Sequence, residues 1–492
     1  MKNIKLISLT GVLLFFGCNK LDQQPYSLLT QSGLSTESDA SSLVSAIYSS
    51  LIYDAGDQAI YGRNINFLVD MTTDDWAAGP AAINANVQAL SKDLHDAGND
   101  RILAIWRQHY VGIARANTAV DLIEGFNIAD DKRTQYVNEA KFIRALLYFN
   151  LVRLFGGVPL VLHQPASIDL DDLKQPRATL DEVYTQIIDD LTSAENLKPI
   201  NAGRATSGAA KSLLAKVYLT RRDWPNAAQK ALEVINNKAV YGYDLFANFA
   251  DNFNYAFKFT KEIIFGSDFS YNSALTNYNY LFACSWPGAS GNRADVPADG
   301  SLYNLYQDGD TRRARTFYTH KVAAGVSYDY PAPGYFNKYV NDTYVAAGIT
   351  AYVAPISFPV LRYADVLLIA AEALNEKNHG PTAEAFGFIN QVRRRAFGKD
   401  PSTADPVIDL PASIGYSDFQ DAVWLERRLE LALEGNRWFD LVREIRDGHS
   451  LLVSAVSKVP AKAAVSEKNN LFPIPQSQID INKSLEQNEL WK

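Results

Sequence analysis

"AAKSLLAKVYLTRRDWPNAAQKALEVI", residues 209–235, decides the fold. Leu214, Ala215, Tyr218, Trp224, Ala227 and Ala231 alternate large and small side chains at helical spacing. That is the pattern of two antiparallel helices touching through small residues. "YADVLLIAAEALNEKNHGPTAEAFGFINQVRRRA", 363–396, repeats it. Pro381 is expected at the start of its second helix, where a missing N–H costs nothing.

The two copies read as tetratricopeptide-like units, unevenly spaced, so long insertions must interrupt the repeat. Further helices flank them. Thr36 with Asp39 three positions on suggests a cap, and Leu43, Ala46, Ile47 and Leu51 follow at helical spacing. A second helix is expected near 101–124, with Ile105, Tyr110 and Ile113, and a third over 134–155. The third carries a stripe of Ala140, Ile143, Leu147, Leu151 and Leu154 and ends at Gly156-Gly157 before Val158-Pro159. The fold class is therefore mainly α, helical repeats with long loop-rich insertions and a few short strands.

The largest insertion, about 239–360, has another texture. Between Tyr241 and Trp286 there are 15 aromatics in 46 residues, interleaved with Asn, Ser, Gly and Asp, and helical periodicity is absent. "EIIFGSDF" reads as a strand. Loops of such length are uncommon unless they serve a function.

At the N-terminus, "LISLTGVLLFFGCNK" (6–20) is an apolar run after Lys2 and Lys5 that stops at a glycine and a cysteine. From Leu6 to Gly17 it spans 12 residues, whereas a bilayer-crossing helix needs roughly 20. It resembles a bacterial lipoprotein signal, cleaved before Cys18 so that this thiol carries lipid, with Phe15 where leucine is usual. The alternatives are an ordinary signal peptide cut elsewhere or a short N-terminal anchor. The organisation expected is a signal over 1–17, a polar tether over 18–35 and one domain over 36–492. Once the signal is removed Cys284 is the only unmodified thiol, so no intramolecular disulfide is possible, and the chain is long enough to bury a core without one.

The net charge is −8, and loss of Lys2 and Lys5 with the leader takes it to −10. The longest basic block is Arg393-Arg394-Arg395, inside an amphipathic pattern. Nucleic-acid binding wants a clustered basic face, and this class is set aside.

Candidate chemistry is sparse. Glu426, Glu430 and Glu434 recur every four residues and line one helix face. Paired carboxylates can hydrolyse glycosides, but Arg427, Arg428 and Arg437 lie within a turn and favour their charged forms. A salt-bridge network is expected, and Asn436–Asp440 is read as packing after Gly435 breaks the helix. The six histidines are scattered, with no H-E-x-x-H and no Cys/His cluster for zinc. "DLDDL" (169–173) resembles a calcium loop but lacks its sixth-position glycine and twelfth-position glutamate. No nucleophile elbow or phosphate loop occurs. No cofactor, metal or catalytic residue is assigned.

Binding chemistry is better supplied. Sugars present flat C–H faces rimmed with hydroxyls, so a receptor wants aromatic platforms with polar groups at their edges. "TTDDWAAGP" offers Asp74, Asp75 and Trp76. "NYNYLFACSWPGASGNR" offers Tyr278, Tyr280, Trp286, Asn292 and Arg293 in a loop made turn-prone by Pro287, Gly288 and Gly291. Trp286 and Trp76 are expected to stack on sugar rings, with Asp75 and Arg293 gripping hydroxyls. Phe253, Phe257, Phe265 and Phe269 are expected to pack the insertion onto the scaffold.

Several stretches together resemble the SusD/RagB family: "NEAKFIRALLYFNLVRLFGGVPL" (138–160), "GRATSGAAKSLLAKVYL" (203–219), "DGDTRRARTF" (308–317), "RYADVLLIAAEALNE" (362–376), "ERRLELALEGNRWFDLVR" (426–443) and "LFPIPQSQID" (471–480). The resemblance covers nearly the whole chain after the leader. It implies a tetratricopeptide-like domain in an outer-membrane lipoprotein facing the cell exterior. It also implies a non-enzymatic role, binding glycan and capping a TonB-dependent, SusC-like transporter. The least typical parts, 77–100 and 268–350, are where specificity would lie. A peptide-binding relative is the alternative within the family, and a secreted glycoside hydrolase the alternative outside it.

Overall fold

The computed structural model describes residues 33–54, 57–79, 81–165, 174–201, 203–269, 295–299, 301–323, 326–340 and 356–492. The first long helix, Glu37–Ser49, opens with a capping box: Asp39 N donates to Thr36 Oγ1 at 3.2 Å and Thr36 N to Asp39 Oδ2 at 2.9 Å. Helices Asp100–Ile123 and Asp130–Phe155 pack on one another and on this first helix. The third begins earlier than its apolar stripe, at Asp130. Asp130 and Asp131 occupy the first turn, where the helix dipole favours negative charge. It ends where Gly156 takes φ 75°, a conformation that favours glycine.

The repeat expected from 209–235 is helices Ser207–Thr220 and Trp224–Asn236, packed against each other through Ala227, Ala228 and Ala231, all buried. Helix Tyr363–Asn378 lies directly against Trp224–Asn236, and Ala383–Ala396 follows as its antiparallel mate. The second repeat is thus the next layer of the stack, although more than a hundred residues intervene. Pro381 is not the first helical residue. Thr382 takes the cap, accepting from Ala385 N at 3.1 Å, and the proline stands just outside. A threonine oxygen satisfies a free N–H, which proline cannot do.

The insertion leaves and returns through a neck. Strand Ile263–Ser267, expected from "EIIFGSDF", pairs antiparallel with Phe358–Arg362, and Arg362 leads straight into helix Tyr363–Asn378. Phe253, Phe265 and Phe269 are buried as expected, whereas Phe257 is 39% exposed, set beside Phe246 at the surface of a short turn. Buried apolar residues from Ala40 to Leu485 form one continuous cluster.

Candidate functional site

The two limbs of the expected site meet through a short ladder. Trp76–Ala77 pairs antiparallel with Val296–Pro297, Trp76 opposite Pro297 and Ala77 opposite Val296. Gly79 N donates to Asp295 Oδ1 at 2.8 Å, and Ala298 N to the Asp75 carbonyl at 3.2 Å. The residues that follow the aromatic loop are therefore clamped to those that follow Asp74 and Asp75. Tyr278, Tyr280, Trp286, Asn292 and Arg293 themselves lie outside the described residues, as does "DLDDL".

The first limb is not a sugar platform. Trp76 is 1% exposed, its ring edge-on to Phe67 at 6.2 Å and to Phe336 at 6.0 Å, so neither face is open. Alternation along the ladder turns its side chain under the strand into the core. Asp74 and Asp75 are also buried and held by guanidiniums, although Asp75 Oδ2 has no hydrogen-bond partner among the described residues. Arg437 grips Asp74 with Nε and Nη2, each at 3.0 Å. Arg428 Nη2 lies 2.9 Å from Asp74 Oδ2 and donates to Asp75 Oδ1 at 2.6 Å. Burial raises the Asp74 carboxyl, but Arg437 and Arg428 outweigh it and hold it well below the carboxylate range. Burial, with Asp74 as a second anion, leaves Asp75 raised. These residues fasten the ladder to the scaffold.

That pairing also corrects the expected partners of the three glutamates. Glu430 accepts from Arg395 Nη2 at 2.5 Å, Arg362 Nη1 at 2.8 Å and Arg312 Nη1 at 3.0 Å. Glu434 takes Arg362 Nε and Lys338 Nζ, each at 2.7 Å, and Glu426 takes Arg312 Nη1 at 2.6 Å. Glu262 binds Arg362 and Arg395 at 2.6 and 2.8 Å. The network exists, but its cations come from distant segments. Arg427 turns instead to Asp365 and Asp440 and Arg428 to Asp75, and the expected common helix face is cut short, because helix Tyr416–Glu430 ends before Glu434. Burial raises Glu430, but Arg395, Arg362 and Arg312 hold it far below the ordinary range, the reverse of what a general acid needs.

Two clefts flank the short helix Ser301–Leu305. One, of about 820 Å³, is lined by Tyr303, Phe317 and Tyr318 with Asp308, Arg313 and Asn337 among its polar groups. The other, of about 470 Å³, takes Leu305 from that helix together with Asp74, Arg428, Arg437 and Glu444. The tyrosines of the first cleft went unassigned in the sequence reading. Their signal is the same mixture of aromatic and polar residues, which continues past Arg293 to Tyr339. Among the described residues no group of three or more His, Cys, Asp or Glu could hold a metal ion. Burial depresses His95 to about 3 and His109 to about 4, which keeps both neutral.

A stack of two-helix repeats that displays a large insertion between consecutive layers, with Glu262, Glu426, Glu430 and Glu434 bound to guanidiniums, defines a scaffold carrying an inserted head. The chain belongs to the SusD family. The model described as "SusD family" matches residues 276–491, and one described as "Starch-binding associating with outer membrane" matches 21–219. SusD-like protein P2 of Formosa agariphila is 27% identical over 511 residues, covering 99% of each chain. Among solved structures, a SusD superfamily protein of Parabacteroides distasonis has a TM-score of 0.77 at 26% identity, covering 93% of this chain and 99% of that one. A laminarin-binding SusD-like protein has a TM-score of 0.76 at 27% identity, covering 93% of this chain and 100% of its own.

Proposed function

We propose that the chain is a glycan-binding lipoprotein of the outer surface, anchored through Cys18, that captures oligosaccharide and passes it to a TonB-dependent SusC-like transporter without cleaving it. The observation that carries this reading is the likeness, over 93% of the chain, to the solved laminarin-binding SusD-like protein. Two features of the head support it. Tyr303 and Tyr318 line an 820 Å³ cleft whose polar groups, Asp308, Arg313 and Asn337, can exchange hydrogen bonds with hydroxyls. The aromatic loop that ends at the ladder adds Tyr278, Tyr280 and Trp286 as platforms and Asn292 and Arg293 as edge groups. Asp74, Asp75 and Trp76 serve this site by holding the ladder, not by touching sugar.

The test is calorimetry of the mature protein against laminarin, amylopectin, xylan and galactomannan, with reducing ends assayed in parallel. Binding to at least one, with no new reducing ends, is expected. Each aromatic platform is worth about 1–3 kcal/mol if sugar stacking resembles base stacking. Trp286→Ala should then weaken binding about tenfold or more and leave the melting temperature unchanged. Release of reducing sugar, or no binding to any of the four, overturns the reading.

A further inference from the structure

Buried polar groups are nearly always hydrogen-bonded, and Glu444 is not. It is 2% exposed, yet its carboxyl makes no hydrogen bond to any described residue, and Oε1 is fully buried without a partner. The nearest cation atom, Arg443 Nη2, lies 3.8 Å from Oε1, beyond hydrogen-bond reach. The backbone is pinned at both ends: Glu444 N donates to the Asp440 carbonyl at 2.9 Å, and Leu451 N donates to the Glu444 carbonyl at 3.0 Å. Glu444 belongs to the wall of the 470 Å³ cleft, a volume within the usual range of small-ligand sites.

The groups around it decide what that cleft can take. Arg443 is bound to Glu372 at 2.5 Å and to Asp440 at 2.8 Å, and Arg437 to Asp74 at 3.0 Å. Arg428 is bound to Asp74 and Asp75, and Arg446 to Asp421. Every guanidinium near Glu444 is thus committed to another carboxylate, and Lys458 and Asp299 stand exposed at the rim. Burial first, and then Asp440, push the Glu444 carboxyl up to about 8 against the pull of Arg443 and Arg437. A carboxylic acid of this kind offers one donor and one acceptor, the same pair that a sugar hydroxyl uses. Leu425, 40% exposed, with Leu441, Leu451 and Ala455, gives the cleft an apolar wall for C–H faces. Since the arginines of the wall are already paired, a neutral, hydroxyl-rich ligand suits it better than an anion.

We propose that this cleft is a second saccharide subsite, taking a neutral mono- or disaccharide unit whose hydroxyls hydrogen-bond to Glu444. The inference rests on the glycan-binding reading above.

Wild type, Glu444→Gln and Glu444→Ala are titrated with laminarin, amylopectin, xylan and galactomannan at pH 6 and pH 9, with melting temperatures recorded alongside. For whichever polysaccharide binds, wild type should lose affinity several-fold between pH 6 and pH 9. Glu444→Gln should bind as well as wild type at pH 6 and show no such loss, and Glu444→Ala should be several-fold weaker at pH 6. The glutamine variant separates Glu444 from Asp70 and Asp93, at about 7, and Lys338 and Lys462, at about 8, which also titrate in this interval. It decides alone if the alanine variant fails to fold. A Glu444→Gln profile that falls between pH 6 and pH 9 as wild type does, or a folded Glu444→Ala with wild-type affinity, overturns the subsite and leaves glycan binding standing. Failure of wild type to bind any of the four overturns the glycan reading and the subsite together.

Discussion

Glu430 touches three guanidiniums and no solvent. Removing one partner from a buried charge network leaves uncompensated charge, at a cost of about 3–5 kcal/mol. Glu430→Gln should lose stability on that scale in denaturant unfolding while glycan affinity stays within a small factor. The pH dependence has a definite sign. The folded carboxyl lies below its ordinary value of 4.5, so its contribution is present above about 4.5 and drains away as pH falls below it. The gap between wild type and variant should therefore narrow in acid. At this scale the helical spacing of Glu426 and Glu430 could be read from the chain, because periodicity is local, whereas the helix ends before Glu434. Their partners could not, since Arg362 stands 68 positions from Glu430 and Arg312 stands 118. Trp76 shows the same limit. Its own neighbours suggest a sugar platform with polar edges, and the ladder that buries it depends on residues 296–297.

Elements were more legible than their contacts. The capping box at Thr36, the glycine stop at Gly156 and both repeat pairs follow from short-range rules, and all are present. What spacing alone does not reveal is how near two helices come. Gly112 lies inside Asp100–Ile123, where propensity favours alanine by about 1 kcal/mol. A Cβ there would sit 2.5 Å from Leu147 Cδ1, on helix Asp130–Phe155, and 2.8 Å from Ser50 Oγ, just past the end of Glu37–Ser49. Overpacking costs about 1–3 kcal/mol, which outweighs the propensity gain. Gly112→Ala should lower the melting temperature, and a rise would show that the two neighbours can withdraw.

For the whole molecule, the repeat stack and its interruption could be anticipated. That the interruption falls between consecutive layers could not, because spatial adjacency of Trp224–Asn236 and Tyr363–Asn378 leaves no trace in spacing. The anchor belongs to this scale too. Cys18→Ala should leave the melting temperature of the folded domain unchanged and release the protein from the membrane fraction in a strain lacking the transporter. Retention there would mean that something other than lipid on Cys18 holds it.

The buried network also sets an order of events. Glu262 cannot meet Arg362 until 100 further residues exist, nor Arg395 until 133 do. Helical pairs built from near neighbours can close early, whereas long-range pairings bear a larger loop-closure entropy and form late. Until then the unmatched glutamates and arginines stay hydrated. A chain growing from its N-terminus would thus assemble its first helices and hold the head open until the segment around Glu430 arrives. Closure of the head is therefore a late step of folding, because the charges that line it come from segments far apart in the chain.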